Sequence, residues 1–141
     1  MDRLFLDANV LFSAAYAPHA GLSRLWRLEG VAILTSVYAL EEARSNLAEQ
    51  AQRARLSRLA RQLHLVPEAT RGDLPSDVTL PPKDRPILLA AMAAGATHLI
   101  TGDLRDFGRY FGKRVGGVLV LPPGDYLRQR ETAVARPKRQ A

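Results

Sequence analysis

The chain contains no cysteine. Disulfides, thiolate zinc knuckles and thiolate catalysis are therefore excluded together, and a reducing compartment, the cytoplasm, is the expected location. It has no uninterrupted apolar run of about 18 residues, so no segment is expected to span a membrane. No Gly-x-Gly-x-x-Gly follows the first apolar run, which disfavours a dinucleotide-binding enzyme. The histidines, His19, His64 and His98, are scattered without metal-ligand spacing and read as structural or surface residues. Internal repeats and low-complexity segments are also missing. The opening MDRLFLDANVLFSAAYA has an apolar stretch and an Ala-x-Ala-like end. Asp2 precedes that stretch, however, and Asp7 falls inside it, where a charge is costly, so a signal peptide is not expected.

What is present fits one domain of 141 residues, of which 47% are apolar and evenly spread, enough to bury a core. The net charge is +6. Much of the excess sits in Arg53, Arg55, Arg58 and Arg61, and in Arg128, Arg130, Arg136, Lys138 and Arg139. Solvated helix faces account for such charge, and so does attraction to a polyanion, nucleic acid being the obvious candidate; charge alone does not separate the two.

Short apolar runs alternate with amphipathic segments. Arg3–Asp7, Val31–Leu34, Thr97–Thr101 and Val118–Leu121 read as buried strands, with a further short strand over Leu63–Pro67. Helices are expected from Asn9 to about Tyr16, over Leu22–Leu28, from the Ser36 cap to about Gln50, and over Arg53–Gln62. Another is expected from the Asp84 cap, with Pro86 in its first turn, to Gly95 as C′ residue. A terminal helix follows Pro122 and Pro123. Val37, Leu40 and Leu47 are expected on the buried face of the Ser36 helix. Residues 68–83, with Gly72, Pro75, Pro81 and Pro82, read as a mobile loop, and 136–141 as a basic, flexible tail. The expected fold is a three-layer α/β/α sandwich with a central parallel sheet of four or five strands, occupying residues 1–135.

The placement of the acids carries the chemistry. Asp7 closes the first strand and Asp103 lies just past the strand ending at Thr101, so in a parallel sheet both emerge at the carboxyl edge, where ligands bind. Asp84 opens a helix, whose N-terminus offsets part of the repulsion among grouped carboxylates. Such a group needs a cation, hard oxygen donors select Mg²⁺ or Mn²⁺, and these ions suit phosphodiester hydrolysis. Plainer roles stand beside these. Asp84 could be only an N-cap, Asp103 and Asp106 loop or helix caps, and Glu41 and Glu42 exposed helix acids. Asn9 fits an N-cap that also orients Asp7. Ser13 and Thr101 fit partners of a carboxylate or of backbone groups. Trp26 and Phe12 read as core.

LFLDANVLFSA resembles the first motif of PIN domains, SVYALEEARSNL the second, and DRPILLAAMAAGATHLITGDLRDF the third and fourth joined. The resemblance runs from residue 4 to 107, and its Thr-Gly-Asp block after an Ala-rich helix is its most specific part. It implies a domain that binds Mg²⁺ or Mn²⁺ and cleaves RNA. Asp7, Glu42, Asp84 and Asp103 would be the metal-binding and catalytic acids, Asp106 an accessory ligand, and Asn9, Ser13 and Thr101 would tune their orientation. The motif spacing selects Glu42, before Ala43, whereas a helical wheel through Val37, Leu40 and Leu47 puts Glu41 nearer the apolar stripe; the motif spacing is preferred. Arg85 stands where many relatives carry another acid. Arg53, Arg55, Arg58 and Arg85 are the expected RNA contacts.

Many bacterial proteins of this type are similar to VapC toxins, which implies a homodimer and a cognate antitoxin that fills the acidic pocket. The implied reaction is in-line attack of an activated water on phosphorus, leaving a 5′-phosphate and a 3′-hydroxyl. A non-catalytic RNA-binding or assembly module on the same fold is the alternative, supported by Arg85. A phosphatase with Asp7 as nucleophile is a third reading, disfavoured because Asn9 stands where that chemistry wants a second acid.

Overall fold

A computed structural model describes residues 1–69 and 72–135, with side chains placed as far as residue 132. The basic segment 136–141, expected to form a flexible tail, lies outside the described residues. Six strands form one sheet in the order β3-β2-β1-β4-β6-β5. They are β1 (Asp2–Leu6), β2 (Val31–Ser36), β3 (His64–Val66), β4 (His98–Ile100), β5 (Arg114–Val115) and β6 (Val118–Leu121). Five run parallel, as the alternating pattern requires. The sixth, β5, is a two-residue strand antiparallel to β6, outside the expected set of four or five. β1 lies at the centre, with Leu4, Phe5 and Leu6 fully buried. A run without apolar–polar alternation marks a strand covered on both faces.

The helices are α1 (Ala8–Ala15), α2 (Val37–Asn46), α3 (Gln50–Ala60), α4 (Arg85–Ala93), α5 (Leu104–Phe107) and α6 (Pro123–Ala135). Between β1, β2 and β3, α1 packs on α2 and α3, as right-handed crossovers onto one face require, while α4 packs along β2 and β4 before the chain enters β4. Leu22–Leu28 forms a 3₁₀ segment, Gly21–Arg27, instead of an α-helix. Ser36 caps α2 as expected, its Oγ accepting from Ala39 N at 3.2 Å.

α2 ends sooner than expected. Leu47 takes an extended backbone, and Gln52 Oε1 accepts from Glu49 N at 3.0 Å to start α3. The buried stripe of α2 is Ala39, Leu40, Ala43 and Leu47, whereas Val37, expected inside, is 49% exposed.

The described end of the long loop before α4 is tied to the domain around residues 78–83. Val78 and Leu80 are buried. The Tyr110 hydroxyl accepts from Thr79 N at 2.8 Å and donates to Thr79 O at 3.2 Å. The Tyr38 hydroxyl donates to the Lys83 carbonyl at 2.7 Å. Gly95 takes φ +67° after α4, a left-handed C′ position that suits glycine. Among the described residues, no helix is long and apolar enough to cross a membrane.

Candidate metal centre

The chain runs outward from β1 to β2 and β3, then returns to place β4 on the other side of β1. This change of direction opens a crevice at the carboxyl ends of β1 and β4. Asp7 follows β1, and Thr101-Gly102-Asp103 follows β4. A cleft of about 600 Å³ there is lined by Asp7, Ala8, Asn9, Phe12, Glu42, Asn46, Lys83, Asp84 and Asp103. Four acids from four distant parts of the chain thus share one wall-to-wall space.

Asp7 sits at the bottom, 3% exposed. Its Oδ1 accepts from Ala8 N at 2.7 Å. Its Oδ2 accepts from Thr101 Oγ1 at 2.8 Å and from Asn9 Nδ2 at 3.1 Å. Burial pushes this carboxyl above the ordinary range; the bonds from Thr101 and Ala8 oppose the rise, while Glu42 and Asp103 add to it. Thr101 Oγ1 also accepts from Asp103 N at 3.1 Å, so one hydroxyl joins two of the acidic residues. Asn9 is not an N-cap; Asp7 occupies that position. Asn9 Oδ1 instead accepts from Gly102 N at 2.8 Å, fastening the start of α1 to the loop after β4.

Glu42 lines the cleft, while Glu41 is exposed and faces Arg44 at 3.9 Å. The helical wheel that favoured Glu41 depended on Val37 pointing inward, which it does not. With Ala39, Ala43 and Leu47 as the stripe, Glu42 falls at its rim.

Asp84 is buried and precedes α4, yet its side chain makes no capping bond, so the plain N-cap role is not the one it fills. Asp103 does cap a helix, accepting from Asp106 N at 3.0 Å. One carboxylate oxygen from each of Asp84, Asp103 and Asp106 lies within 4.8 Å of the others. Asp7 and Glu42 line the same cleft but stand outside that close group of three; all five offer carboxylate oxygen, the donor type that hard divalent cations take.

Lys83, which the sequence reading passed over, reaches into this group. Its Nζ lies 3.2 and 3.0 Å from the two Asp84 oxygens and 3.0 Å from Asp106 Oδ2. Hydrogen bonds to Asp106 and then Asp84 hold the ammonium above the usual lysine range. Burial pushes the Asp84 carboxyl up to about 6 against the lowering effect of Lys83. Asp106 is lowered, chiefly by its bond to Lys83. The only sequence sign was a lysine adjoining an acid bound for a crowded site.

Other expected residues lie elsewhere. Ser13 is exposed and lines no wall of the cleft. Arg53 Nη1 donates to the Leu47 carbonyl at 2.7 Å, and Arg55 donates to the Ala15 and Tyr16 carbonyls at 3.0 and 3.1 Å. These guanidiniums close helix C-termini. Arg58 is exposed. Arg85 is exposed and borders a separate hollow with Asp73, Pro75 and Thr79. Phe12 packs against the core as expected, but it also forms an apolar wall of the cleft.

Residues 3–105 match a family model described as a PIN domain. Among solved structures, the chain is similar to one in the crystal structure of VapBC2 from Rickettsia felis bound to a DNA fragment from their promoter. The TM-score is 0.62 at 17% identity, covering 85% of this chain and 98% of that one, a likeness of fold. No curated protein matches the chain.

Proposed function

Because the chain belongs to the PIN domain family, we propose that it is a metal-dependent endoribonuclease that hydrolyses RNA phosphodiester bonds with Mg²⁺ or Mn²⁺. The observation that carries this reading is the convergence of Asp7, Glu42, Asp84 and Asp103 on one cleft at the switch point of the sheet. Burial, with Glu42 and Asp103 adding to it, holds the Asp7 carboxyl above its ordinary range, a penalty on its charged form that a bound cation would relieve. A bound divalent ion supplies an activated water and stabilises the departing oxygen.

The chain's own residues do the rest. Asp7, Glu42, Asp84 and Asp103 are the ligands, with Asp106 at the rim. Thr101 and Asn9 fix the Asp7 carboxylate in one orientation through the bonds described above. Phe12 offers an apolar wall on which a nucleobase can rest. Arg58 and Arg85 are the exposed cations of the expected set and steer the phosphate backbone. Arg53 and Arg55 contribute field more than direct contact, since their donors are engaged with carbonyls.

We extend the proposal to a cytoplasmic toxin that acts as a homodimer and is held in check by a cognate antitoxin. The structural neighbour, itself a VapBC2 assembly on promoter DNA, supports that extension. The alternative, a non-catalytic RNA-binding or assembly module, has one observation in its favour, the Lys83 ammonium seated among the acids.

The deciding experiment incubates the protein with a panel of RNAs in Mn²⁺, Mg²⁺ or EDTA, beside Asp7→Asn. Cleavage by the wild type that EDTA stops, and that falls at least about a hundredfold in Asp7→Asn, is the expected result, because a ligand should matter more than the groups orienting it. Undiminished cleavage in Asp7→Asn rejects the assignment; RNA binding without turnover in any metal supports the non-catalytic module.

A further inference from the structure

Lys83 is the one cation lining the acidic cleft among the described residues. It does not pair with a single exposed acid at the rim. Its Nζ straddles both Asp84 oxygens and reaches Asp106, two of the three residues whose oxygens lie within 4.8 Å of one another. An ammonium at 3.0 Å and a divalent ion at its usual 2.0–2.1 Å from oxygen compete for the same carboxylates, and the two positive charges repel. The Lys83 side chain is 59% exposed, so its head has open solvent to move into. Its backbone, by contrast, is fixed. The Tyr38 hydroxyl donates to its carbonyl, and Asp84 N donates to Pro81 O at 2.9 Å.

We propose that Lys83 is a tethered counter-cation that occupies the Asp84–Asp106 side of the centre until a divalent ion displaces it. This rests on the reading that the acids hold such an ion. The ammonium neutralises the acids when metal is scarce, and its withdrawal sets the metal concentration at which the centre fills. The four-carbon stem suits this role: it is long enough to bridge Asp84 and Asp106 from a fixed backbone and flexible enough to leave.

The test measures Mn²⁺ affinity by titration calorimetry at fixed pH and low salt for the wild type, Lys83→Gln, Lys83→Arg and Lys113→Gln. Lys83→Gln should bind Mn²⁺ about tenfold more tightly, the effect of removing one opposing charge from a half-exposed setting. Lys83→Arg should stay near the wild type. Lys113→Gln, which removes an equal charge from an exposed position outside the cleft, should change affinity by less than about twofold. Unchanged or weaker binding in Lys83→Gln overturns the proposal. So does an equal gain in Lys113→Gln, which would make the effect one of net charge. If neither the wild type nor Lys83→Gln binds Mn²⁺, the reading of the acids falls and takes this one with it.

Circular dichroism of the metal-free variants checks folding, with Lys83→Met as the substitute if the glutamine variant is unfolded. A second readout needs no variant. Saturating the wild type with Mg²⁺ should move the Lys83 Cε resonance to that of a free lysine, and a resonance that stays put overturns the proposal.

Discussion

At the scale of the residue, Thr101 has the most leverage for its size. It is fully buried, and its one hydroxyl donates to Asp7 while accepting from Asn9 and from the Asp103 backbone. Thr101→Val keeps the shape and removes all three bonds. It should weaken Mn²⁺ binding by about 10–100-fold, the usual cost of losing a group that orients a ligand. Calorimetry beside circular dichroism checks this, and an unchanged affinity would show that Asp7 needs no such support. That Asp7 and Asp103 would meet at one edge was legible in the sequence, because Asp7 directly follows one apolar run, Asp103 lies shortly past another, and strand ends in a parallel sheet share an edge. Glu42 was legible from motif spacing and not from periodicity, since a wheel drawn through the outward-facing Val37 rotates the whole helix. Lys83 was not legible. Nothing in a periodic pattern records where a flexible four-carbon side chain comes to rest.

At the scale of the element, the arginines of α3 differ in what they touch. Read as a string, Arg53, Arg55 and Arg58 form a basic face suited to a polyanion. Folded, Arg53 closes the end of α2 and Arg55 the end of α1, each satisfying carbonyls that a helix terminus leaves without partners. The sequence cannot show this, because the partners of Arg55 lie some 40 residues earlier in the chain. Arg55→Ala should therefore cost about 1–2 kcal/mol in urea unfolding, the worth of charge-assisted bonds at a partly exposed site. Arg58→Ala and Arg85→Ala should leave stability within about 0.5 kcal/mol. Each should instead lower the slope of log RNA affinity against log salt by about 1. The reverse pattern, with Arg55→Ala changing only the salt slope, would place Arg55 at the RNA interface beside Arg58. The principal strands and helices were legible from their apolar periods. α5 and β5 were not, being too short at four and two residues to show any period.

At the scale of the whole molecule, the parallel sheet and its layers could be read from alternation, but the strand order could not, since pairing depends on which crossover turns back. That order gathers the acids, and it makes stability depend on pH. Asp84, raised to about 6 from an ordinary 3.8, and Asp7, also raised, favour the protonated form in the folded state. Their contribution is fully present below the ordinary value and is lost as pH rises through the folded value, about 6 for Asp84. Burial lowers the His98 imidazole and acts in the opposite sense, so the comparison to make is with Asp84→Asn. Without metal, the variant should gain melting temperature over the wild type as pH goes from 5 to 7.5. Mn²⁺ at a hundredfold excess over Kd should stabilise the wild type by about 2.7 kcal/mol at pH 7.5, several degrees in melting temperature, and by less at pH 5. A pH-independent difference would show that the Asp84 carboxyl titrates as it does in an open chain. The bond between Asn9 and Gly102, spanning 93 positions, has a consequence for synthesis. A ribosome that has made only the first two-thirds of this chain has released Asp7 and Glu42 but not the loop that faces them. A stalled or clipped product of that length carries Asp7, Glu42 and Asp84 but neither Asp103 nor the Thr101 and Gly102 that hold Asp7 and Asn9, so it is left with an unfinished notch.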